Sequence, residues 1–113
     1  MLLDKIALLV YILTTMNVTF KDQNLAKLES DAEFDGGYNS SLVKAFRKRM
    51  QQIRAAVDER DFYAFKSLRF EKLKGKRAHQ HSIRLNDQWR LILEFVGEAP
   101  NKITVIVSIE DYH

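Results

Sequence analysis

Three segments near the end of the chain, residues 81–85, 89–96 and 103–109, alternate in hydrophobicity. Successive side chains of a strand point to opposite faces, so this patterning predicts strands that each bury one face. Residues 86–88 separate the first two segments, and residues 97–102 (GEAPNK) separate the second from the third. Connections this short join antiparallel neighbours, which commits the last third of the chain to a meander. Whatever precedes the meander must cover its apolar face.

The preceding sequence supplies that cover. Leu42, Phe46, Met50, Ile53 and Val57 recur at spacings of three and four with Val43 in the same stripe, while Lys44, Arg47, Lys48, Gln51 and Arg54 fall opposite. That period predicts an amphipathic helix whose apolar stripe is core, with Asn39, Ser40 and Ser41 as candidate N-caps. Residues 22–29 read as a shorter helix, and residues 31–38 as an acidic loop broken at Gly36-Gly37. Residues 61–68 read as a turn or short helix, residues 68–73 as a strand, and the Asn17-Val18-Thr19-Phe20 run after Met16 as a first strand. The expected fold is α+β: an antiparallel sheet made of an N-terminal strand plus the C-terminal meander, with helices on one face and the other face partly open. A chain of 113 residues accommodates one such core.

Residues 1–15 (MLLDKIALLVYILTT) carry an apolar stretch over 6–13, too short for a membrane span, which needs about 20 residues. Neither a basic leading region nor a small-residue cleavage site is present, so the segment does not read as a secretory signal. It is expected to be an atypical extension, an upstream start or an apolar segment laid on the core, ahead of a single domain over residues 16–113. The absence of Cys excludes disulfide scaffolds, thiolate metal sites and Cys nucleophiles. With 3 His in the chain, a metal enzyme is not expected. His79 and His81 stand two apart, but no third ligand is evident.

Charge is concentrated. Lys66, Arg69, Lys72, Lys74, Lys76, Arg77, Arg84 and Arg90 face only Glu71 and Asp87 as acids between residues 66 and 90, although the whole chain carries a net charge of just +3. A basic block in an otherwise acidic chain suits a phosphate backbone, and equally a solvated basic face or a sheet edge protected from aggregation. Register sharpens the picture. A three-residue loop at Asn86, Asp87 and Gln88 sets Leu85 opposite Trp89, Ile83 opposite Leu91 and His81 opposite Leu93, whereas a two-residue loop mixes the faces. The favoured register also sets Arg84 opposite Arg90, a repulsive pair that a bound anion or a neighbouring carboxylate would relieve. Past the last strand come Glu110, Asp111, Tyr112 and His113, two acids, a phenol and an imidazole close to a rigid support.

Leu73-Lys74-Gly75, Ser82-Ile83-Arg84, Gln88-Trp89-Arg90 with Leu91, Ile92 and Phe95, and the terminal Glu110-Asp111-Tyr112-His113 together resemble the HigB toxins of the RelE/ParE superfamily, from about Met16 to His113. The resemblance implies a cytoplasmic bacterial toxin that cleaves mRNA on the translating ribosome. It also implies a cognate helix-turn-helix, HigA-like antitoxin, no membrane partner, and neither cofactor nor metal. Carried over by motif, Lys74, Arg84 and Arg90 become phosphate ligands, and Asp111, Tyr112 and His113 the C-terminal active-site triplet. His113 is then the acid or base, Asp111 its orienting group or a proton acceptor, and Tyr112 a group that positions or stacks on a base. Lys72, Lys76 and Arg77 extend the RNA-binding surface. Two departures stand out: Glu71-Lys72 occupies the place where many relatives have His-Pro, and the fifteen-residue extension is atypical. The chemistry required is general: remove the ribose 2′-hydroxyl proton, neutralise the scissile phosphate, and protonate the leaving 5′-oxygen. The alternatives are a ParE-like gyrase inhibitor and a non-catalytic module that binds RNA or a protein partner.

Overall fold

The computed structural model describes residues 17–98 and 101–111. The expected extension over 1–15, and Tyr112 and His113, lie outside the described residues. In chain order come β1 (Asn17–Phe20), α1 (Gln23–Ser30), α2 (Ser40–Ala55), α3 (Arg60–Ala64), β2 (Glu71–Lys72), β3 (Gln80–Arg84), β4 (Trp89–Val96) and β5 (Ile103–Asp111). Single 3₁₀ turns at Lys66–Leu68 and Gly75–Arg77 flank β2.

Local chemistry accounts for the helix boundaries. The Asp22 carboxylate accepts from the Asn24 amide at 2.8 Å, and the Asn39 side chain accepts from the Leu42 amide at 2.9 Å, so both longer helices start at a side-chain cap. Helix α2 stops at Ala55, two residues short of the apolar stripe's last member, Val57. The Asp61 carboxylate takes the Val57 amide at 2.7 Å, leaving Val57 52% exposed rather than in the core. Residues 61–68 form the end of α3 and a 3₁₀ turn, and the strand expected over 68–73 shrinks to Glu71–Lys72.

The sheet is five-stranded in the order β1-β5-β4-β3-β2. Strands β2 to β5 run antiparallel, as expected of the meander. Strand β1 departs from that expectation by pairing parallel to β5, with Val18 beside Thr104 and Phe20 beside Ile106. Period-two alternation reads the same in both directions, so it tells which residues face the core but not which way a strand runs. Between β4 and β5 the register shifts: Leu93 pairs with Ile106 whereas Ile92 pairs with Ser108. Val107 is the extra residue of this bulge, and it reverses the facing of everything after it.

Leu25 and Leu28 of α1, Leu42, Phe46, Met50 and Ile53 of α2 and Phe62 of α3 pack on Ile83, Leu91, Leu93 and Ile106 of the sheet. Two arginines support this layer. Arg47, on the helix face expected to be solvated, donates to the carbonyls of Leu28, Asp31 and Phe34 at 3.0, 3.0 and 3.1 Å, tying the end of α1 and the following loop to α2. Arg49 is 8% exposed and donates to the Arg84 carbonyl at 3.0 Å, so α2 holds the end of β3 directly. Burial, and secondarily the Arg84 charge, lower the Arg49 pKa from its ordinary value.

His81 also belongs to the packed face. Its ring lies parallel on Phe70 with centroids 4.9 Å apart and meets Phe95 edge-on at 5.2 Å. Its Nδ1 is buried without a hydrogen-bond partner among the described residues. Burial is the largest influence and lowers its pKa; Lys72 and Lys102 act the same way, and Glu59 opposes them. Because the unfolded chain binds this proton more readily, stability is full above the ordinary histidine pKa of about 6.5 and falls as pH drops from there towards the folded value. The melting temperature should therefore decline as pH falls below about 6.5. His81→Phe should flatten that part of the profile, and an unchanged slope would place the titrating group elsewhere.

Candidate active site

The face of the sheet away from the helices is organised in rows. The three-residue loop forms as expected: the Leu85 amide donates to the Trp89 carbonyl at 2.9 Å, and the Asn86 side chain accepts from the Gln88 and Trp89 amides at 2.9 and 2.8 Å. Leu91 and His81 consequently pair with Ile83 and Leu93, and Arg84 pairs with Arg90. On the other side of β4, Arg90 pairs with Glu110. Arg84, Arg90 and Glu110 thus form one row across β3, β4 and β5, and Ser82, Ile92 and Ser108 form the next. The bulge at Val107 makes this possible, since an unbroken ladder would have set Ile109 beside Arg90 and turned Glu110 to the helix side.

The repulsion expected between the facing arginines is met by carboxylates. Arg84 is ion-paired with Asp87 of the hairpin loop. Asp87 is 98% exposed, so water screens this pair and a stronger anion can replace it. Arg90 is 6% exposed. Arg77 Nη1 and Nη2 make a two-pronged pair with Glu110 at 2.8 and 2.9 Å, while its Nε donates to Gln80 Oε1 at 2.8 Å. The bonds from Arg77, followed by that from Ser108 at 2.7 Å, hold the Glu110 carboxyl below its ordinary pKa against the opposing effect of burial. Gln80 in turn donates to Glu94 at 2.8 Å, which fixes its amide.

The other expected site residues are distributed as follows. Lys74 is exposed and immediately precedes the 3₁₀ turn Gly75–Arg77, where Gly75 adopts a φ of 63°. Lys76 is exposed in the same turn. Lys72 pairs with His81, which puts it on the helix side of the edge strand, away from the arginine row. Asp111 pairs with Trp89, one residue out of step with Glu110, and accepts from Gln88 Nε2 at 3.1 Å. Histidines 79 and 81 do not converge: His79 Nε2 lies 3.9 Å from Glu94, whereas His81 is stacked on Phe70. Among the described residues no group of three His, Asp or Glu side chains could hold a metal ion. No helix among them is long and apolar enough to cross a membrane.

Glu110 belongs to the terminal motif but receives no role from it, because the active-site triplet begins at Asp111. Its position opposite Arg90 depends on the bulge, so simple alternation from the Arg84–Arg90 pair does not find it.

Residues 18–113 match the profile of the RelE-like toxins of type II toxin-antitoxin systems, HigB. The chain belongs to the HigB-like toxins. It is 34% identical over 87 residues to Toxin HigB-1 of Vibrio cholerae serotype O1, covering 76% of this chain and 92% of that toxin. Among solved structures, the YoeB/ParE toxin from Agrobacterium tumefaciens superposes with a TM-score of 0.51 at 14% identity, over 87% of this chain and 100% of that one. The YoeB-YefM complex from Staphylococcus aureus gives a TM-score of 0.50 at 22% identity, over 87% and 97% of the two chains. Both likenesses are of fold. As a HigB-like toxin, the chain has the α+β layer expected of it, and its arginine row lies on the face that the helices leave open.

Proposed function

We propose that this HigB-like toxin is a ribosome-dependent mRNA endonuclease of the bacterial cytoplasm that cleaves through the ribose 2′-hydroxyl. The observation that carries the reading is the row Arg84–Arg90–Glu110 with Arg77 above it: guanidinium groups gathered on the sheet face away from the helices, next to the strand end that leads into the terminal triplet. Arginines in such an array suit a phosphodiester, because each presents a planar fork of donors to paired oxygens. Arg84 and Arg90 hold the scissile phosphate and stabilise the charge that grows on it, and Lys74 adds a third cation from the neighbouring turn. His113 acts as the principal acid or base, Asp111 orients it or takes a proton, and Tyr112 positions or stacks on a base. Lys76 and Arg77 contact the RNA backbone beside the row, whereas Lys72, on the helix side of the edge strand, faces away from it.

In this scheme a base removes the 2′-hydroxyl proton, the 2′-oxygen attacks phosphorus, and an acid protonates the departing 5′-oxygen. The products are a 2′,3′-cyclic phosphate and a 5′-hydroxyl. A cognate helix-turn-helix antitoxin of HigA type neutralises the activity, in keeping with the toxin-antitoxin family and with the partnered YoeB-YefM complex. The test uses ribosomes programmed with a defined message. Methylating the 2′-oxygen of the cleaved nucleotide should abolish cutting at that site. Continued cutting that leaves a 5′-phosphate would contradict the proposed chemistry.

A further inference from the structure

Arg77 lies in the turn before β3 and Glu110 lies on β5, with β4 between them. Because Arg77 bonds to both Gln80 of β3 and Glu110 of β5, its guanidinium must pass above β4 on the face away from the helices, where Arg90 and Ile92 sit. An ion pair therefore straddles the surface assigned to the phosphodiester. The side chains of Arg77 and Glu110 remain 46% and 36% exposed, which keeps the pair exchangeable with solvent anions.

We propose that Glu110 is a stand-in for substrate phosphate: in the RNA-free toxin its carboxylate occupies the Arg77 fork, and an incoming phosphodiester displaces it. This deepens the nuclease reading and rests on it. A carboxylate and a phosphate offer the same pair of acceptor oxygens to the two parallel donors of a guanidinium, so one replaces the other without rearranging Arg77. The anchor for that exchange is independent of Glu110. Arg77 Nε is held by Gln80, and Gln80 by Glu94, so the fork stays aimed over the face once the carboxylate leaves. Glu110 has its own alternative, since Ser108 already donates to Oε2 at 2.7 Å.

Charge supplies the reason for such an arrangement. Arg77 and Arg84 share one face and are paired with Glu110 and Asp87, so their charges are offset. Displacing both carboxylates presents the Arg77 and Arg84 forks to one backbone. Glu110 is a carboxylate at neutral pH, so it competes as a full anion. Glu110 thus sets how tightly RNA binds by competing for Arg77, and need not touch the reacting atoms.

The test measures binding without cleavage, using ribosomes loaded with a message that carries a 2′-O-methyl group at the cleaved nucleotide. Glu110→Gln should bind about five- to tenfold more tightly than the parent chain, with a salt dependence steeper by about one counterion. Arg77→Ala should weaken binding about tenfold, and Arg77→Lys should recover part of it. Unchanged or weaker binding by a folded Glu110→Gln protein would overturn the proposal. So would loss of cleavage at unchanged affinity, which would make Glu110 part of the proton transfer. The Arg77 variants approach the same pair from its other side, and equal affinity across them overturns it whatever the fate of Glu110→Gln. If the parent chain leaves the unmodified message intact, the nuclease reading fails, and the binding comparison still decides the displacement separately.

Discussion

Arg90→Ala should slow message cleavage by about 10²- to 10³-fold while weakening ribosome binding by less than about tenfold. Arg90 is the central member of the row, between Arg84 on β3 and Glu110 on β5, and is 6% exposed. A cation on a rigid strand, largely shielded from water, is aimed before the substrate arrives and interacts more strongly with developing charge than a solvated one would. Docking on the ribosome would instead draw on many weaker contacts, including the exposed Lys72, Lys74 and Lys76. Single-turnover rates against toxin concentration separate the two effects. Equal losses in rate and affinity would make Arg90 a docking residue.

The second large effect concerns the layer that holds the row in place. Phe46 is fully buried at the middle of α2, within the cluster that joins Met50, Ile53 and Phe62 to Ile83, Leu91 and Leu93 of the sheet. Phe46→Ala removes most of a ring from a site whose walls belong to both layers and cannot close over the gap. The expected loss is about 3–5 kcal/mol. Domains of this kind have only about 5–15 kcal/mol in total, so the variant should be marginally folded. Urea unfolding should show a much lower midpoint at an unchanged slope. A loss below about 1 kcal/mol would mean that the helices contribute little to holding the sheet.

Much of this structure is legible in the residue pattern, and the exceptions have definite physical causes. The hairpin register is readable because a loop of three residues and a buried face leave one alignment, and it correctly pairs Arg84 with Arg90. The helix caps at Asp22 and Asn39 and the core stripe from Leu42 to Ile53 are similarly local. The direction of β1 is not, because alternation is the same read forwards or backwards. Nor is the bulge at Val107, since the run from Ile103 to Ile109 can alternate without it. Through that bulge the pattern also hides Glu110, whose facing depends on the extra residue.

Long arginines were misread for a related reason. A helical wheel places Arg47 among solvated residues, but its reach brings three backbone carbonyls within hydrogen-bonding distance. Arg77 reads as one more cation in a basic block, whereas the fold joins it to Glu110, 33 positions away in the chain. Periodicity describes where a side chain begins and says nothing about where a flexible one ends.

The most direct test of the central claim is a transcriptome-wide map of RNA 5′ ends after brief induction, comparing the intact chain with His113→Gln. New ends confined to translated frames, and absent in the variant, are the predicted result for a ribosome-dependent endonuclease with His113 at its chemistry. Growth arrest without new ends would contradict that account and direct attention to gyrase or to a non-catalytic binding role.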